Sequence, residues 1–134
     1  MLQTSIEAVR EARRLLGLGP GEEGSAFHVR RLDMPGAAYF LVYVAGQVAS
    51  LDTATGALMA SAISPRLPLT LTREAAIDRA GVGVMATAEL VWAPSAASQS
   101  MFDPIWAITE GEQTLYVGQR GGVWNTLPMK RPGG

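Results

Sequence analysis

An α+β fold built from two tandem α-β-β-β units, each a helix packed on an antiparallel sheet, is what this sequence predicts. Three observations carry the prediction. Two short helical segments each begin on a capping threonine. Runs of β-branched and aromatic residues, bounded by glycine, proline and aspartate, follow each of them. The two halves can also be superposed with a shift of 66 or 67 residues. The predicted division is 1–64 and 65–134.

The first helix is expected from Ser5 to Leu16. Thr4 is its N-cap and Glu7 lies three residues on, the capping-box spacing. Ala8, Val9, Ala12, Leu15 and Leu16 share one face at about 100° per residue. Gly17 to Gly24 stops the helix and makes a loop. Ser25 to Asp33 alternates, with Phe27 and Val29 on one side and His28 and Arg30 on the other. After a turn at Asp33 to Gly36, Ala37 to Val44 is a strand; Gly46 turns the chain into Gln47 to Leu51. Asp52 to Gly56 is a hairpin turn with positive φ expected at Gly56, and Ala57 to Ile63 closes the unit before Pro65 and Pro68.

The second half repeats the order. Leu71 to Gly81 is a helix with Thr72 as N-cap and Glu74 in its first turn. Strands follow at Thr87 to Trp92, Pro104 to Thr109, Gln113 to Val117 and Val123 to Leu127, and Pro128 to Gly134 is a frayed tail. Glu7 meets Glu74 at a shift of 67, while Phe40 meets Trp106, Val42 meets Ile108 and Gly56 meets Gly122 at 66. Positive φ is therefore expected at Gly122, and burial at both Phe40 and Trp106. Tyr39, Leu41 and Tyr43 point to one face of their strand and Phe40, Val42 and Val44 to the other. With both faces apolar, the strand needs cover on both sides: a helix on one, and the second unit, a partner chain or a bound peptide on the other.

Composition narrows the function. The 134 residues carry 11 basic and 12 acidic side chains, so no basic patch points to nucleic acid. Charged residues are only 17 % of the chain, against about 25 % in an average domain, and a low charge near neutrality favours association. There is no cysteine, which excludes disulfides, thiolate metal sites and a thiol nucleophile. No apolar run is long enough for a spanning helix. The first fourteen residues lack the apolar core of a signal peptide, so the chain is either cytoplasmic or exported with its leader removed. The arginine-for-lysine skew, ten to one, fits a GC-rich bacterial genome.

No catalytic constellation is visible. His28, the single histidine, has Arg30 rather than a carboxylate on its face, and reads as a solvated strand residue. Ser95, Ser98 and Ser100 lack a G-x-S-x-G frame and read as loop residues. Asp103, Glu110 and Glu112 read as surface charge, and Gly81 to Val84 as a helix stop rather than a phosphate loop. Trp106 is a core candidate, and Trp92 is either core or an interface anchor.

"LTREAAIDRAG" followed by "PIWAITEGEQTLYVGQRGGVW" resembles a PepSY-type domain, and "VASLDTATGAL" in the first half is similar to the same family's hairpin. Gly118 stands where that hairpin often has aspartate. The resemblance covers most of the chain as two units and implies a cystatin-like fold. It implies no catalysis, but protein binding or peptidase inhibition; no metal or cofactor is expected. The function expected is a non-enzymatic protein- or peptide-binding module, with Tyr39, Tyr43 and Trp92 as candidate partner-binding residues. A self-associating structural protein, such as a homodimer, is the alternative.

Overall fold

Thr4 and Thr72 each start a helix by accepting a backbone N–H on the hydroxyl, from Glu7 and from Ala75, both at 3.1 Å. The computed structural model describes residues 2–64, 71–83, 85–95, 98 and 100–126. Expectations for Pro65, Pro68, Val84, Leu127 and the tail 128–134 lie outside the described residues. The helices are α1 (Ser5–Leu15) and α2 (Arg73–Ala80). The strands are β1 (Ser25–Arg31), β2 (Ala38–Val44), β3 (Gln47–Asp52), β4 (Leu58–Ile63), β5 (Thr87–Trp92), β6 (Ile105–Glu110), β7 (Gln113–Val117) and β8 (Val123–Trp124).

Among the described residues, eight strands against two short helices make this a sheet-dominated fold. That corrects the expectation of two tandem α-β-β-β units in which helix and sheet share the weight. The reason is one of scale. Helix α2 has eight residues and buries only Ala76 and Ile77, whereas each half of the chain contributes four strands whose backbone groups satisfy one another. Apolar periodicity locates strands, but how many edges join is set by pairing between distant residues.

The chain divides into two compact units, Met1–Pro68 and Leu69–Gly134. In the first, β1 pairs β2, β2 pairs β3 and β3 pairs β4, all antiparallel. Ala8, Val9 and Ala12 of α1 pack on Phe40, Val42, Val44 and Leu51, which stand on one face of this sheet. On the opposite face Val29, Tyr39, Leu41 and Ser50 are also fully buried within the single chain. The turn into β3 has positive φ at both Ala45 (49°) and Gly46 (74°), the pattern of a type I′ hairpin. Ala45 carries a Cβ into the left-handed region, where asparagine or glycine is preferred. Ala45→Asn is therefore expected to raise stability by about 0.5–1 kcal/mol, measured by urea unfolding.

In the second unit β5 pairs β6, β6 pairs β7 and β7 pairs β8, again antiparallel. Ala76 and Ile77 of α2 pack on Ala86, Ile108 and Val117, with Trp106 at the edge of the cluster. The pairing register repeats that of the first unit: Phe40 opposes Leu51, and Trp106 opposes Val117. Elsewhere the offsets drift. The capping threonines and the buried pairs Ala8/Ala76 and Val9/Ile77 are 68 apart, not 67. Gly56 has φ 73°, as expected, but in the second hairpin it is Gly121 (φ 89°), not Gly122, that turns left-handed. The cause is a turn one residue shorter: Asp52 N–H reaches the Ala57 carbonyl, whereas Gly118 N–H reaches that of Gly122. Gly122 is held to glycine by space instead, since a Cβ there would sit 2.6 Å from the Trp124 ring.

Candidate functional site

The residues singled out from sequence do not converge. Tyr39 is fully buried, Tyr43 half-buried and Trp92 buried. The Trp92 indole N–H donates to Ser98 Oγ at 3.3 Å, and Ser98 Oγ–H donates to the Ser100 carbonyl at 2.9 Å. Ser98 N–H donates to Ser95 Oγ, and Ser95 N–H to the Ser98 carbonyl. The serines expected as plain loop residues thus include two buried ones, Ser95 and Ser98, which order the segment after β5. The hydroxyl proton of Ser98 is committed to a carbonyl, which is not the arrangement of a nucleophile beside a base.

His28 is exposed and meets Phe40 edge-on, with ring centroids 5.5 Å apart. Glu110 is tied to the helix-stop segment: its carboxylate accepts the Gly83 N–H at 2.7 Å. Among the described residues no group of three or more acidic or histidine side chains is placed to hold a metal ion. No described helix is long and apolar enough to cross a membrane.

A cleft of about 680 Å³ lies between α1 and the glycine-rich loop 17–22. Arg13 shapes this loop by donating to the carbonyls of Leu18, Gly19 and Glu23. The two arginines lining the cleft are neutralised: Arg10 pairs with Glu22 and Arg14 with Glu11. The hydrogen bond from Arg14 holds the Glu11 carboxyl below its ordinary range. The cleft therefore offers no uncompensated charge for an anion.

The outstanding surface is β4. It pairs with β3 on one side, and no described residue of its unit pairs with its other side. Its burial is that of a strand in solvent: Leu58, Met59 and Ile63 are all exposed, Ile63 at 88 %. The sequence from Thr53 to Ser64 contains no charged residue. Exposed edges in folded proteins are usually blunted by lysine, proline or a bulge. Here a bulge interrupts the register opposite Ser50 and Leu51, leaving a regular stretch from Ala60 to Ile63.

Which backbone groups of that stretch face outward follows from one bond. Ser64 N–H donates to the Gly46 carbonyl at 2.8 Å, and Gln47 opposes Ile63. In an antiparallel ladder, hydrogen-bonded and non-bonded pairs alternate. Ala60, Ala62 and Ser64 therefore turn their N–H and C=O to the β3 side. Ser61 and Ile63 turn theirs away from it, which makes four polar groups on an open edge.

Sequence reasoning identified this strand but not its exposure. The available signal was the absence of charge in "LMASAI". Ser50, by contrast, is fully buried with no hydrogen-bond partner for its hydroxyl among the described residues. An unsatisfied buried hydroxyl costs about 1–3 kcal/mol, so Ser50→Ala is expected to raise stability by about 1 kcal/mol in chemical denaturation.

Comparison with known protein families, with curated proteins and with solved structures returns no match.

Proposed function

We propose that this chain is a non-enzymatic binding module that takes up an extended strand of a protein or peptide on the outer edge of β4. The carrying observation is the open edge itself: uncharged, apolar, and with the N–H and C=O of Ser61 and Ile63 turned away from β3. Strand addition uses such groups for affinity and alternate side chains for specificity. The PepSY-type resemblance of the sequence supports a binding role of this kind.

Selection from a displayed library of random heptapeptides, followed by amide NMR of the full chain with an enriched peptide, tests the reading. The largest shifts are expected at Ser61 and Ile63. A library that yields no binder, or one whose binders shift residues elsewhere and leave β4 unmoved, refutes it. Ile63→Lys should abolish the response while leaving stability unchanged, because this side chain is almost wholly in solvent.

A further inference from the structure

We infer that the strand received by β4 is the β4 of a second copy of this chain, paired antiparallel about a two-fold axis at Ala62. The inference rests on the reading of β4 as a docking strand and names its occupant.

The window open to pairing is short and bounded. On one side the bulge breaks the register between Leu58 and Ala60. On the other the sequence continues into Pro65, which has no N–H to donate. Between them lies Ala60 to Ser64, with Ala62 at its centre. An antiparallel register that overlaps two such windows completely is centred on Ala62. It places Ser61 opposite Ile63 of the other copy, and Ile63 opposite Ser61. These are the residues whose polar groups face outward, so all four groups on each copy find partners. A register shifted by one residue along either strand would set outward-facing residues against inward-facing ones and waste these bonds.

The side chains agree. Ala62 would face its own copy at the closer, non-hydrogen-bonded spacing, where a methyl group gives no obstruction. Each exposed Ile63 would gain cover beside Ser61 of the neighbour. A two-fold contact must be self-complementary, and a strand with no charge from Thr53 to Ser64 brings no like charges together. The same neutrality gives a charged peptide nothing to pair with. The net charge of −1 leaves little long-range repulsion between copies.

The absence of cysteine makes the register testable with single thiols. Sedimentation velocity of the full chain over a concentration series is expected to show a monomer–dimer equilibrium that Ile63→Lys removes. Ala62→Cys should cross-link to itself under mild oxidation, because opposed Cα atoms at a non-hydrogen-bonded pair lie about 4.5 Å apart, within disulfide reach. Ala60→Cys, whose two copies would be four residues out of register, should not. A wild-type chain that stays monomeric, while library peptides still shift Ser61 and Ile63, overturns the self-pairing and leaves the docking strand standing. A dimer that survives Ile63→Lys and does not cross-link at position 62 also overturns it. A monomer whose β4 amides answer to no peptide removes both.

Discussion

Replacing Phe40 by alanine is expected to destabilise the chain by about 3–5 kcal/mol. Phe40 is 3 % exposed and stands at the centre of the sheet face that carries α1, among Val42, Val44 and Leu51. The helix meets it with Ala8 and Ala12, side chains too small to refill the space a lost ring would leave. The cost therefore combines lost transfer energy with a cavity that cannot collapse. Phe40→Leu keeps most of the volume and should cost less than about 1.5 kcal/mol. Urea unfolding of the two variants checks both figures. An alanine variant within about 0.5 kcal/mol of wild type, the range of ordinary surface changes, would place Phe40 outside the core.

Trp106→Ala is expected to cost about 3 kcal/mol, the lower end of the range for a buried tryptophan. Trp106 occupies the register position of Phe40, but it is half-buried rather than buried. The indole explains why. Its N–H donates to the Leu71 carbonyl at 2.8 Å, and a ring with a polar handle sits where one end can reach a partner at the cluster's margin. Leu71 is held from its other side too, its N–H donating to Gln119 Oε1 at 2.9 Å. Gln119 in turn donates to the Pro104 carbonyl at 3.0 Å. Trp106 and Gln119 thus clamp the residue that leads into α2. Trp106→Phe retains the ring packing and loses the hydrogen bond, leaving the Leu71 carbonyl to water, and should cost about 1 kcal/mol. Equal losses from the phenylalanine and alanine variants in thermal unfolding would show that the hydrogen bond, not the ring, carries the effect.

These two residues mark how far sequence reading reached. Their strand positions and their shared offset were legible, because β-branched and aromatic runs between turn residues report strands locally. The helix starts were legible for the same reason: a threonine three residues ahead of the amide it caps is a short-range signal. What the offset concealed was small insertions. One residue fewer in the second hairpin moved the left-handed glycine from 122 to 121, and the match of Glu7 to Glu74 lies one residue out of step with the helix caps and buried pairs, which are all 68 apart. Identity matching across two divergent halves cannot see such steps, whereas hydrogen-bond register can.

The candidate site was less legible than the elements. Tyr39 and Trp92, chosen as aromatic anchors, are buried, because an aromatic residue in a strand reads the same whether its face is open or covered. The edge of β4 carries no local signal beyond its lack of charge, because its residues are ordinary small and apolar ones. Their exposure follows from the place of β4 at an edge, where β3 is its one pairing neighbour among the described residues of the unit.

Local chemistry was enough to specify helix caps, turns and strand positions, since each depends on residues within a few positions of one another. The weight of sheet over helix, the closure of both faces around Tyr39 and Phe40, and the open edge at Ser61 and Ile63 needed the three-dimensional arrangement. Each of those depends on which strands pair, and strand pairing is settled by backbone hydrogen bonds and burial between residues far apart in the chain.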